Sequence, residues 1–281
     1  MEKSIRCIVC FGLILLGYFS PSFAQKGSDF IERTDFGVIN WSQFTVRATG
    51  VGQITEKRDE NAPRITLAAA QADAKKNILR TIRRLRVDRD QIVSQISEKN
   101  NRIEEEILKL IQNARMVTQE YLSDGTAKIV MELSLLGAFS QLVLPQELKQ
   151  IDSVKPIVPP EKIPAPFTGL IVDAMGIALN PALVPKIVDE SRKEVFGSAF
   201  ASRESAVQQG MVRYVPDLEM ARKQERVGNH PLVVKGLETE DGEKTTIVIS
   251  TADAAKLKSA SEHLQLLRKC LVIITADLSK P

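Results

Sequence analysis

The 281-residue chain sets 38 Lys and Arg against 35 Asp and Glu, with 43% hydrophobic residues. A balance so close to neutral argues against a polycationic nucleic-acid binder, and that apolar content suits a chain that buries its own core. The three cysteines are Cys7, Cys10 and Cys270. Two of them lie in a leading apolar run, so no disulfide framework is expected.

Residues 1–24 have the three parts of a secretory signal. Lys3 and Arg6 form a charged head, Cys7 to Tyr18 an apolar core, and Ser22-Phe23-Ala24 a small-x-small end. Cleavage is expected between Ala24 and Gln25. The core falls short of the roughly 20 apolar residues of a spanning helix. Gln25 stands where a lipoprotein would have its cysteine. The expected product is a non-lipidated protein of the periplasm or cell envelope, with no transmembrane segment and Cys270 as its one thiol.

Residues 25–40 have little periodicity and are expected to be a flexible lead-in. Phe44–Gly52 alternates and is β-branched, a strand ending in Gly50 and Gly52. Pro63 suits a first helical turn, and Ile65–Leu85 has apolar residues at helical spacing with an alanine-rich middle, which lets a helix lie close to a sheet. Ile103–Ile111 makes a shorter amphipathic helix. Arg115–Leu122 and Thr126–Leu135 flank Ser123-Asp124-Gly125, a hairpin signal, and a short helix is expected near Ala138–Val143. Residues 41–144 thus form an α+β domain. Six prolines fall in 145–166, at Pro145, Pro156, Pro159, Pro160, Pro164 and Pro166, a density that predicts a semi-rigid linker.

Residues 167–281 predict a second α+β domain. Phe167–Ile177, Ala182–Val188 and Met211–Val215 read as extended, and Asp217–Gly228 as a helix with an Asp cap and a glycine stop. Leu232–Leu237 and Thr245–Ser250 form a hairpin around Glu240-Asp241-Gly242-Glu243. Ser250 caps a helix running to about Arg268, and the apolar run Cys270–Thr275 suits a central strand buried on both faces. The expected fold is two α+β domains, each with helices on a mainly antiparallel sheet.

Ala-Thr-Gly-Val-Gly at 48–52, the helix Leu67–Leu79 and the hairpin Ser123-Asp124-Gly125-Thr126 followed by Leu135-Leu136-Gly137 resemble the LPP-twenty family of bacterial envelope lipoproteins. That family is similar to the N-terminal domain of flagellar assembly protein T and to a flagellar basal-disk protein. The resemblance covers about 41–144. It implies a scaffold or assembly role connected with flagellar or surface structures and implies no catalytic residues.

The residues themselves offer little chemistry. His230 and His263 are more than thirty positions apart and lack companions at metal-ligand spacing, so no metal site is expected. Cys270 opens an apolar strand and reads as a small buried hydrophobe. Nucleotide-binding, nucleophile-elbow and zinc-protease motifs are absent, so no catalytic or cofactor-binding residue and no cofactor is expected. An enzyme would have to gather distant carboxylates such as Asp173, Asp189 and Glu190. The conspicuous feature is a basic cluster of Lys75, Lys76, Arg80, Arg83, Arg84, Arg86 and Arg89. Cations late in a helix complement its negative end. They could also contact an anionic envelope polymer or lipid headgroup, with nucleic acid excluded by export and by the want of aromatic platforms. Glu104-Glu105-Glu106 could meet that cluster on a second copy. The expected function is a non-catalytic envelope protein that binds other envelope proteins or itself, the alternative being an anion-binding module built on residues 75–89.

Overall fold

The computed structural model describes residues 29–53, 61–146, 148, 166–240, 242 and 244–277. The expected signal peptide, its cleavage site and nearly all of the proline-rich linker lie outside these residues. The chain is an α+β protein of two domains.

The first domain has strands β1 (Ile31–Arg33), β2 (Val38–Asn40) and β3 (Thr45–Gly52), then helices α1 (Ala62–Arg83), α2 (Val93–Lys99) and α3 (Asn101–Gln112). The hairpin β4 (Arg115–Tyr121) and β5 (Ala127–Ser134) and helix α4 (Ala138–Val143) complete it. Its sheet is antiparallel throughout, in the order β1-β2-β3-β5-β4. Helix α1 covers one face. Its buried residues Thr66, Ala70, Ala74 and Ile78 recur every four positions, the spacing of one helical face. A Cβ on Gly50 would collide with Ala70 O and Ala74 N, and one on Gly52 with Thr66 O. The glycines on the strand and the alanines on the helix therefore serve one purpose, contact of backbone with backbone.

Residues 29–40 are not a flexible lead-in. They supply β1 and β2, joined around a turn in which Thr34 Oγ1 donates to Gly37 O (2.9 Å), and Phe30 is buried. Three-residue strands leave no periodicity to read, and the neighbours that order them come from later in the chain.

The second domain runs β6 (Leu170–Ala174), β7 (Lys186–Asp189), β8 (Glu194–Phe196), α5 (Arg203–Gln209), β9 (Arg213–Val215), α6 (Leu218–Arg222) and a 3-10 turn at Glu225–Val227. Then come β10 (Leu232–Thr239), β11 (Thr246–Ile249), α7 (Thr251–Lys258), α8 (Ser261–Arg268) and β12 (Val272–Ala276). The seven strands lie in the order β8-β7-β11-β10-β6-β12-β9. The hairpin β10–β11 is antiparallel as expected, as is β7–β8. The sheet as a whole is not mainly antiparallel, because β6 pairs in parallel with β10 and β12, β12 with β9, and β11 with β7. Burial on both faces accompanies this arrangement. Leu170 and Val172 enter the main core, whereas Ile171 and Ile273 join Val215, Ala221 and Val227 on the opposite face. Two helices appear where one was expected, with Ser250 Oγ accepting from Asp253 N to start α7 and a break before α8.

Candidate functional site

The domains meet along a continuous buried junction. The Phe30 ring stacks on Tyr214 at 5.8 Å, and Trp41 packs edge-to-face with Phe44 and Tyr214 at 6.1 and 5.7 Å. Ser42 Oγ donates to Tyr214 O (2.7 Å) and accepts from Phe30 N (2.8 Å). The Tyr214 hydroxyl donates to Ala182 O at 3.0 Å and accepts from Ala182 N at 3.1 Å, and burial pushes its pKa far up. Trp41 Nε1 donates to Glu32 (2.8 Å), Glu32 accepts from Arg86 Nη2 (2.6 Å), and Arg86 Nε donates to Pro181 O (2.9 Å). Main-chain bonds from Leu183 N to Arg86 O and from Val184 N to Val87 O reinforce the seam. Arg203 adds a second clasp by donating to the carbonyls of Gln141 and Pro145. Residues of both domains consequently share one core cluster.

An exposed edge lies in the first domain. Strand β4 is last in its sheet, and six of its seven residues are exposed. Met116, Tyr121 and the following Leu122 are 37%, 52% and 48% exposed. A shift of register between Met116 and Thr118 interrupts its pairing with β5.

The basic cluster is largely engaged within the molecule. Arg83 pairs with Glu104 at 2.5 Å, Arg84 with Asp35 at 3.0 Å and Arg89 with Asp90 at 3.3 Å, while Arg86 is consumed by Glu32 in the junction. Lys75 donates to Gln112, and Arg80 and Arg84 both lie over the Phe36 ring. Lys76 is exposed. The acidic run is similarly occupied, since Glu106 pairs with Lys109 and Glu104 with Arg83.

The carboxylates weighed for an active site each hold local structure. Asp189 accepts from Ser191 N and Lys193 N, and Glu190 from Thr251 N. Asp173 bridges three parallel strands through Lys235 (3.1 Å) and Thr275 (3.0 Å). Burial raises its pKa, but the bonds from Lys235, Met175 N and Thr275 outweigh that and hold the carboxyl below its ordinary value. The two histidines meet at one ring that their spacing had hidden: His230 stacks on Phe167 and His263 tilts against it. His263 Nε2 accepts from Phe167 N, leaving Nδ1 to donate to Lys256 O. Cys270 is buried with φ of 56°, and burial pushes its thiol to about 12. Among the described residues no group of three or more His, Cys, Asp and Glu could hold a metal ion.

Two concave regions were not read from the sequence. A cleft of about 440 Å³ opens between the domains, with Asp88 and Gln91 on one side and Lys186, Ser198 and Thr246 on the other. A second, of about 340 Å³, is lined by Gln209, Arg213, Lys223, Gln224, Glu225 and Arg226. Its members come from α5, β9 and the segment after α6, a convergence visible only in the folded chain.

Residues 169–278 match the family described as the second domain of Treponema pallidum Tp0624, a bacterial domain family. The match spans β6 to β12 and begins where the second domain begins. No curated protein matches the chain.

Proposed function

We propose that the protein is a non-catalytic component of the bacterial cell envelope, exported through residues 1–24, that works as a rigid scaffold for protein–protein contacts. The observation that carries this reading is the exposed edge β4. An edge strand offers a row of unpaired backbone donors and acceptors to an incoming strand, and here Met116, Tyr121 and Leu122 place apolar surface beside it. The shared core behind that edge holds it at a fixed angle to the second domain. The likeness of 41–144 to LPP-twenty and flagellar assembly domains supports an envelope setting, and the match of 169–278 to a Treponema domain supports a bacterial one.

The alternative, anion binding by residues 75–89, draws less support, since Arg83, Arg84, Arg86 and Arg89 are already paired. The test is affinity capture from envelope extracts with the intact mature chain and with Tyr121→Glu/Leu122→Glu. Loss of specific partners in the double variant, with unchanged thermal stability, is the expected result. Identical capture by both would remove the edge from the reading.

A further inference from the structure

Arg213 and Arg226 line one pocket of about 340 Å³ together with Lys223. Among the described residues neither arginine has a carboxylate within ion-pair distance, and both are half-buried. Three of the five Arg226 donors go to neutral acceptors: Nε donates to Cys270 O (2.8 Å), Nη1 to Gln209 O (2.8 Å) and Nη2 to Gly210 O (2.6 Å). Burial above all, and the Arg213 charge besides, bring its pKa down to about 10, so it stays cationic at neutral pH. Arg213 Nη1 donates to Gln224 Oε1 (3.1 Å), and its Nε is buried with no acceptor at all.

Charges taken out of water are ordinarily paired, and a guanidinium N–H without an acceptor forfeits a hydrogen bond. Two neighbouring guanidiniums and an ammonium face this pocket against a single carboxylate, Glu225. Asp29, the carboxylate of the adjoining pocket, is not among the residues that line this one. The net surplus is two positive charges. A phosphate group carries about −1.5 to −2 at neutral pH and accepts several charge-assisted bonds, and a guanidinium fork suits its oxygens. A lone carboxylate would leave part of the surplus unanswered.

We propose that this pocket is a binding site for a phosphate group, in which Arg213 and Lys223 donate to its oxygens while Arg226, held by three carbonyls, supplies field. The site lies in the second domain and is separate from the basic helix 75–89 and from the β4 edge, so it stands or falls apart from the scaffold reading.

The experiment titrates the full mature chain, at low ionic strength, with inorganic phosphate by calorimetry and with phosphatidic acid vesicles, whose headgroup is a phosphate monoester, by co-sedimentation. Phosphate binding weakened about tenfold or more in Arg213→Gln, the loss of about one strong contact, and tightened in Glu225→Gln supports a free-phosphate site. Vesicle binding with the same two responses, in the absence of phosphate binding, supports the same site with a lipid headgroup as its source. Glu225→Gln keeps the test decisive should Arg213→Gln fold poorly, because it removes the opposing charge and leaves both arginines in place. Binding to neither probe, or binding that Glu225→Gln leaves unaltered, overturns the proposal.

Discussion

Arg86 Nη2 donates to both carboxylate oxygens of Glu32, at 2.6 and 2.7 Å, although the two residues are 54 positions apart. With Trp41 Nε1 on the same carboxylate and Pro181 O on Arg86 Nε, this pair ties the first strand of one domain to the loop that enters β7 of the other. Both side chains are about one-fifth exposed, so the pair is only partly screened. Glu32→Gln should cost about 2 kcal/mol, the worth of a hydrogen bond to a charged group, and Arg86→Met should cost a similar amount. In urea unfolding the double variant should lose less than the sum of the two, because removing either partner already strands the other. Additive losses would mean that the two side chains do not interact energetically.

The Tyr214 hydroxyl is bonded both ways to Ala182 within the second domain, which fixes the ring that Phe30 and Trp41 of the first domain pack against. Tyr214→Phe keeps the ring stack with Phe30 and removes only those bonds, so about 1–2 kcal/mol should be lost. Tyr214→Ala also empties a fully buried aromatic site and should cost about 3–5 kcal/mol. Near-equal stabilities of the two variants in denaturant titrations would show that ring packing contributes little.

Gly50→Ala should be more damaging than most substitutions on a strand, since the new Cβ meets the α1 backbone rather than a movable side chain. Overpacking of this kind costs about 1–3 kcal/mol and can exceed that when no side chain can yield. Gly137→Ala provides the contrast. No atom lies within 4 Å of its Cβ position, but φ of +67° imposes backbone strain of its own, about 1–2 kcal/mol. Thermal unfolding that ranked Gly137→Ala as the worse of the two would contradict the close packing of β3 on α1.

That contact was legible only in part: the strand-end glycines and the alanine-rich helix pointed to a close approach, but the apolar spacing read from Ile65 runs through Ala68, Ala69 and Ala72, which are exposed, whereas Thr66, Ala70 and Ala74 face the sheet. The hairpin at Asp124-Gly125, the Ser250 cap and the buried strand after Cys270 were legible for similar local reasons. What stayed hidden depends on partners far along the chain. β1 and β2 are too short to mark themselves, and the parallel pairing of β6 with β10 and β12 could not outweigh the local hairpin signal at β10–β11. Even the basic cluster misled on charge, since its ion partners Glu32, Asp35 and Glu104 come from two other segments, the β1–β2 hairpin and α3. The Arg213 pocket gave no sequence signal at all.

Acid should destabilise the fold through two carboxylates. Burial raises the Glu132 pKa, but hydrogen bonds from Arg115 and Arg47 overcome it and set the folded value below the ordinary 4.5. Asp173 is likewise held below 3.8. A carboxyl whose folded pKa is depressed contributes stability that is present above its unfolded pKa and is lost as pH falls through the folded one. Stability should therefore be level near neutrality and decline as pH drops below about 4.5, the ordinary value for Glu132. Glu132→Gln with Asp173→Asn should be less stable at pH 7 and show a shallower acid decline. An acid profile parallel to that of the unaltered protein would refute the assignment.

Reversing Arg83 and Arg84 to glutamate separates the structural account of the basic helix from the anion-binding one. Both residues sit in exposed pairs, with Glu104 and Asp35, and exposed pairs contribute about 0–1 kcal/mol each. Reversal also places negative charge at the helix end where cations are favoured, a further loss of up to about 1 kcal/mol. The expected result is a modest fall in melting temperature that shrinks as salt is raised, since screening removes both effects. Capture of partners from envelope extracts should be unchanged. If capture instead collapsed while stability moved by less than about 1 kcal/mol, the ion pairs would be incidental. Helix α1 would then have to be counted as a contact surface in its own right.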